Sequence, residues 1–325
     1  MSMRTIIGGC VALIALAFAT ACASTSAPEA ALEDAGAPVA KAPWPPAGSF
    51  PSIAPTQADK LVVVRAKADL ATDNPYAEYW NNVPAYRVPV IPQLITAPQL
   101  LPEQTAVQQI DVQAVTDGKT IAWRLTWADA TADGNVDTAR FTDGVAMQFP
   151  LDPGAAPMMG HRETGKVQIV HWKALWQKDL DVGFQDVQDL HPNYWSDLYW
   201  FAEGKFPYPV PTAFKDPRSL QWFVANQAGN PLAVFSRTQP AEELIAEGFG
   251  TLTHQKDSVS RAKGVWANGT WSVVISRPIA STDPLDYQFQ LGGAGQVSFA
   301  VWEGTHENVG GRKHWTNWVP FEVQP

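Results

Sequence analysis

Thr120-Ile-Ala-Trp-Arg-Leu-Thr-Trp127 alternates with a period of two. One face carries Ile121, Trp123, Leu125 and Trp127, and the other carries Thr120, Ala122, Arg124 and Thr126. Successive side chains of a strand point to opposite faces, so this is the pattern of a half-buried antiparallel strand. The same rule runs through Val145, Met147 and Phe149, through Tyr287, Phe289 and Leu291, and through Val297, Phe299 and Val301. Asp117-Gly118 and Asn268-Gly269 read as tight turns between strands, because such turns need positive φ at their centre. Helical signals are few. Ala241 to Glu247 reads as a short helix, with Pro240 near its start and Gly248 just beyond its end. Residues 177–235 mix aromatics, Pro and Gly without a sustained period and read as a long excursion with short helical turns. The expected fold is all-β: an antiparallel two-sheet β-sandwich with long loops and a few short helices.

The chain ahead of that domain has a different character. Residues 1–21 read as an export signal: Arg4 gives a positive start, Thr5 to Phe18 is largely apolar, and small residues precede Cys22. Ala19-Thr-Ala-Cys22 is similar to a lipoprotein cleavage box and predicts lipidation of Cys22. Ala23, in place of Asp, favours the outer membrane as the anchor point, so the expected location is periplasmic and lipid-anchored. Residues 22–57 are rich in Ala, Pro and Ser and read as a tether. Residues 58–325 make the folded domain.

Composition excludes several chemistries. Cys10 and Cys22 are the only cysteines, and Cys10 lies in the signal. The mature chain therefore has no internal disulfide, no thiolate zinc or iron–sulfur site and no thioether-bound haem. A metal would be held by His, Met, Lys, Tyr or carboxylates. The net charge of −9, without basic runs, argues against nucleic acid as a partner. No Gly-x-Ser-x-Gly, P-loop or dinucleotide fingerprint is present, so no catalytic residues are assigned. Glu242-Glu243 and Asp129 to Asp133 read as exposed charge; the second group could bind calcium through a loop but lacks the EF-hand pattern.

Five segments carry a more specific signal: Asp143-Gly-Val-Ala-Met-Gln-Phe-Pro150, Pro157-Met-Met-Gly160, His171-Trp-Lys-Ala174, Gly264-Val-Trp-Ala-Asn-Gly-Thr-Trp271 and Val301-Trp-Glu-Gly304. In this order the chain resembles the haem b-binding gamma subunits of ethylbenzene dehydrogenase and related type II DMSO reductase-like molybdenum enzymes. The resemblance covers residues 58–325. It implies a β-sandwich with one non-covalent haem b held between a Met and a Lys. It also implies electron transfer to or from a redox partner, such as an iron–sulfur subunit or a periplasmic cytochrome, with the molybdenum chemistry in another polypeptide. The chain departs from those subunits in its lipid anchor and long tether.

The resemblance points to Met159, which immediately precedes Gly160, with Met158 as the alternative. Lysine binds iron only as the neutral amine, which at a reference pKa near ~10.4 costs roughly 4–5 kcal/mol at pH 7. The partner lysine is therefore expected to be one aimed into the sandwich. Counting back from the Asn268-Gly269 turn, Trp271, Val273 and Ile275 share a face with Trp266, Gly264, Ala262, Ser260, Ser258 and Lys256. The small residues on this face leave room for a flat ligand, and parity favours Lys256 over Lys263. His254, two residues before Lys256, competes as the ligand. His171 shares a face with Val167 and Ile169 and reads as a core histidine. Trp172, Trp266 and Trp271 are candidates to pack on the porphyrin, with core packing an equal alternative. The rival functional reading is a cofactor-free carbohydrate-binding sandwich, in which exposed Trp residues stack on sugars.

Overall fold

The computed structural model describes residues 41–57, 59–67, 70–193, 216–234 and 236–325. The export signal over 1–21, Cys22 and most of the tether lie outside the described residues. Residues 41–57 do not behave as a free tether. Trp44 packs on Trp271 with ring centroids 5.8 Å apart and donates its indole N–H to Asp181 at 3.0 Å. The Pro51 carbonyl accepts from Arg124 at 2.7 Å, and Thr56 bridges to Tyr86. The domain boundary therefore falls before residue 58. A Pro-rich strap buries little by itself, so composition alone reads it as a linker.

Two β layers face each other. The first contains β1 (Leu61–Arg65), β2 (Tyr86–Pro89), β4 (Gln109–Thr116), β5 (Thr120–Ala128), β10 (Arg261–Trp266), β11 (Thr270–Pro278) and β14 (Val319–Val323). Its strand order is β10-β11-β5-β4-β1-β14, with β2 beside β4. The second contains β3 (Ile91–Pro92), β6 (Gly144–Pro150), β7 (Val167–Lys173), β8 (Ala241–Ala246), β9 (Thr253–His254), β12 (Ala294–Trp302) and β13 (His314–Trp315). Here the order is β12-β6-β7-β8-β9, with β13 and β3 on the other side of β12. Strand β12 joins the layers: Ala294 to Val297 pair with β14, and Ser298 to Trp302 pair with β6. The chain is all-β in class, with helix α1 (Ala174–Val182) following directly on β7. Most pairs are antiparallel, but β1 pairs in parallel with both β14 and β4.

Alternation places the core. Ile121, Trp123, Leu125 and Trp127 of β5 meet Val145, Met147 and Phe149 of β6 and Val170 and Trp172 of β7 in one apolar cluster. Trp172 lies edge-on to Trp271 at 5.0 Å, and Trp123 lies 6.3 Å from Phe149. Aromatic side chains carry large apolar areas, so this ring-filled layer is the main adhesive of the described residues, which contain no cysteine.

Three local expectations change. Ala241–Glu247 is not a helix but β8, paired with β7 on one side and β9 on the other. Pro before it and Gly after it bound a short strand as well as a short helix, and tertiary pairing overrides the helical propensity of Ala-Glu-Glu-Leu. Asp286 to Leu291 forms no strand, although Phe289 is buried and Tyr287 packs against the core. The β4–β5 turn is centred on Gly118-Lys119, because Asp117 already pairs with Thr120, and Gly118 supplies the positive φ. The β10–β11 hairpin follows its expected register, with Trp266 opposite Trp271 and positive φ at Asn268 and Gly269.

Candidate functional site

The outer face of the second layer is unlike its inner face. Along β7, Val170 and Trp172 point inward, while Ile169, His171 and Lys173 point outward. The neighbouring strands place small groups on that outer face: Gly144 and Ala146 on β6, and Ser298 and Ala300 on β12. Their small size leaves a floor above which a cavity of about 570 Å³ opens. Loops roof it, including Gln93 to Pro98, Val136 to Thr142, Pro157 to Met159, Phe249 to Leu252 and Asn308 to Lys313. Exposed Ile95, Val136, Leu232, Phe249, Leu252 and Val309 make the rim apolar. The size and apolar lining fit a cofactor-sized organic ligand.

Met158 and Met159 both reach the cavity. Gln148 holds their turn from the strand below, accepting from the Met159 backbone N–H at 3.2 Å and donating to the Pro157 carbonyl at 3.0 Å. Met159 adopts a left-handed backbone, with φ of 65°. Its side chain packs against the Ala146, Ile169 and Leu244 cluster. The Met159 carbonyl accepts from Gly248, which ties the turn to the end of β8.

Two lysines line the same cavity. Burial lowers the pKa of Lys173, opposed by the charge of Glu242. Lys313 forms no ion pair among the described residues, and burial alone pulls its ammonium down to about 8. Its Nζ lies 5.2 Å from the centre of the Trp302 ring. Next to it, His314 is fully buried and accepts through Nε2 from the backbone N–H groups of Ala106 and Val107 at 3.1 and 3.3 Å. An imidazole that accepts hydrogen bonds there must be neutral, and burial pulls its pKa down to about 4. This anchor fixes the short strand onto which Lys313 leads.

A titratable group of three completes the lining. His254 Nδ1 lies 2.8 Å from Glu242 Oε2, and His171 Nδ1 lies 3.8 Å from Glu242 Oε1. Burial raises the Glu242 carboxyl to about 7, while Lys173 and Arg237 hold it down. Burial drives the His171 pKa well below its usual value, so its ring is neutral near pH 7.

The structure thus brings Met158, Met159, His171 and His254 together and adds Lys173 and Lys313. It leaves Lys256 outside: this residue is exposed beyond β9 and does not line the cavity. The parity count fails there because β10 starts only at Arg261. The chain before it turns away, with the Val259 and Ser260 N–H groups donating to the Glu243 carboxylate. Lys263 is exposed on the opposite side of β10 from Ala262 and Gly264. Trp172 and Trp271 are fully buried between the layers, and Trp266 packs at the edge of that core. The room that Gly264 leaves is taken by Trp172, whose indole a Cβ at that position would strike. The space for a ligand therefore lies outside the sandwich. Gly310-Gly311, just ahead of Lys313, is a sequence sign of close backbone approach, but nothing local separates Lys313 from other lysines.

Comparison with known proteins adds relatives over most of this length. A Haloferax mediterranei protein named as a respiratory nitrate reductase heme subunit is 26% identical over 271 residues, covering 82% of this chain and 74% of its own. The chlorate reductase subunit gamma of Ideonella dechloratans is 24% identical over 260 residues, covering 79% of this chain and 82% of its own. Among solved structures, a family 9 carbohydrate-binding module from Caldicellulosiruptor kristjanssonii, in complex with cellotriose, aligns over 82% of this chain and 93% of its own. Its identity is 8% and its TM-score 0.36, too loose a likeness to carry weight. A family model, ethylbenzene dehydrogenase, matches residues 77–314, which span β2 to the start of β13 and hold most of the cavity lining, and the chain belongs to that family.

Proposed function

We propose that this chain holds one haem b without covalent attachment in the cavity on the outer face of the second layer, and relays single electrons to or from a redox partner. The observation that carries the reading is one cavity lined by a thioether turn and by a half-buried lysine that has no carboxylate partner among the described residues. With its pKa at about 8, Lys313 becomes a neutral amine at pH 7 for about 1.4 kcal/mol, against roughly 4–5 kcal/mol for an ordinary lysine. Met159 and Lys313 would hold the haem iron, with Met158 and His254 as alternates. When bound, haem would supply a one-electron iron couple, and a Met ligand favours the reduced state.

The chain's own part is to bind, orient and exclude water. Ile169, Leu244 and Trp302 give the cavity an apolar lining. Gln148 holds the Met turn, and buried His314 holds the Lys313 side. Two protein donors would leave no open iron position, which suits electron relay and disfavours substrate activation. The names of the nitrate and chlorate reductase relatives support an oxidoreductase complex as partner, with an iron–sulfur subunit or a periplasmic cytochrome as the direct contact. The export signal and Cys22 support a periplasmic site, anchored through lipid to the outer membrane.

The test is an absorption spectrum of chain produced with ample haem. A sharp reduced α-band is expected, and it should be shifted or lost in Met159→Ala and in Lys313→Ala. A colourless protein after thorough loading would overturn the reading and return attention to sugar binding. A band altered only by His254→Ala would reassign the second donor.

A further inference from the structure

Four carboxylates gather at one end of the sandwich. Asp129 follows β5, Asp133 lies in the next loop, Asp143 immediately precedes β6, and Glu303 follows β12. One oxygen from each lies within 4.8 Å of all the others. Asp129, Asp143 and Glu303 are buried, with exposures of 4%, 0% and 4%. No Lys or Arg pairs with any of them among the described residues, and only His306 approaches Glu303. Three buried anions and a fourth at their side, without a cation, are strongly self-repelling.

An orphaned atom points to what is missing. Asp129 Oδ1 accepts from the Thr131 N–H at 3.1 Å, while Oδ2 is buried and makes no hydrogen bond of normal length, the Trp127 indole N–H close to the carboxyl being itself unpaired. A buried charged oxygen without a donor is rare unless something else satisfies it. The other three carboxylates are held in place from outside the cluster as well as within it. Asp143 accepts from the Gly304 N–H at 2.8 Å and from the Trp271 indole at 2.9 Å. Asp133 Oδ2 accepts from the Thr131 and Thr305 hydroxyls, and Glu303 Oε2 accepts from the His306 N–H. These contacts use one oxygen of Asp133 and one of Glu303.

We infer that Asp129, Asp133, Asp143 and Glu303 form a binding site for a divalent cation of calcium type. Oxygens on opposite sides of Ca²⁺ are about 4.6–5.2 Å apart, twice its usual 2.3–2.6 Å bond, whereas Mg²⁺ draws them to about 4.2 Å. Separations of up to 4.8 Å admit the larger ion, and a cage of four protein carboxylates is the habit of calcium, since magnesium is usually held by one or two carboxylates and keeps several waters. All four donors are hard oxygens, as calcium prefers.

The position gives the site a task. The loop from Asp129 to Asp143 carries Val136, Phe141 and Thr142 to the cavity, and the loop from Glu303 to His314 carries Asn308, Gly311 and Lys313. A cation shared by the roots of both loops braces the two walls that face the proposed haem. Only this bracing role rests on the haem reading; the cation site does not.

The experiment uses the purified full chain, stripped with EGTA and then titrated with CaCl₂ or MgCl₂ by calorimetry and thermal melting. One calcium per chain is expected, with a rise in Tm of roughly 5 °C and a smaller response to magnesium. Asp129→Asn should abolish the calcium response and leave the calcium-free Tm equal or higher, since it removes a buried charge. Glu303→Gln serves as the second variant if Asp129→Asn does not fold. No binding heat and no Tm shift at millimolar calcium would overturn the site, as would an undiminished response in the variants. The haem spectrum is read separately, so failure of either idea leaves the other standing.

Discussion

The two faces of β7 are one residue apart and have opposite characters. The inner face, with Val170 and Trp172, is dry and filled to the point that Gly264 opposite has no room for a methyl group. The outer face, with Ile169, His171 and Lys173, opens on a cavity whose floor is Gly, Ala and Ser. Close packing secures the fold, while the ligand space depends on small residues beneath distant loops. The ring-rich segments that look most like a cofactor pocket in sequence are the ones that leave no space for it.

That contrast can be broken or sharpened. The largest effect should come from Gly264→Val, which drives a side chain into the Trp172 indole. Overpacking of this kind costs about 1–3 kcal/mol or more, and the change should appear as a large drop in Tm or as insoluble protein. An unchanged melting curve would show that the inner face has slack. Next come Met159→Ala and Lys313→Ala, which should each weaken haem retention by at least about tenfold while leaving the far-ultraviolet dichroism of the β fold intact. Retention is read as the fraction of haem lost to apomyoglobin over time.

A third, graded effect concerns pH. On the proposed ligation Lys313 would have to shed a proton to bind iron, and burial holds its pKa down at about 8. Haem affinity should therefore fall about tenfold per unit as pH drops below 8. In the haem-free chain the sign is fixed by linkage. The folded pKa lies below the unfolded value near ~10.4, so the unfolded chain binds more protons between these limits. Stability should rise with pH from 8 towards 10.4, by at most about 1.4 kcal/mol per unit, and Lys313→Met should flatten that slope in denaturant titrations. The smallest effect belongs to Lys256→Ala. An exposed lysine outside the cavity should change stability by less than about 0.5 kcal/mol and leave the haem spectrum untouched.

Much of the inner face was legible from local pattern. Trp123, Leu125 and Trp127 alternate over a single strand, and Asn268-Gly269 sets the hairpin register for the residues beside it. The register lost its authority by Lys256, because each step away from the turn adds a chance for the strand to give out, and β10 begins only at Arg261. Met158 and Met159 were findable because a rare residue pair sits between Pro and Gly, and the structure puts both at the cavity. Lys313 was not, since its burial comes from loops that meet it from far along the chain.

Amino-acid order alone settled the strand alternation, the hairpin turn, the want of any cysteine after Cys22, and the acidic balance. These are local or compositional properties and need no knowledge of neighbours. Tertiary structure alone decided which face of the second layer holds open space and which lysine enters it. It also brought Asp129, Asp133, Asp143 and Glu303 to one point. Those outcomes depend on contacts between segments more than a hundred residues apart, and period-two alternation is silent about which face a distant loop will cover.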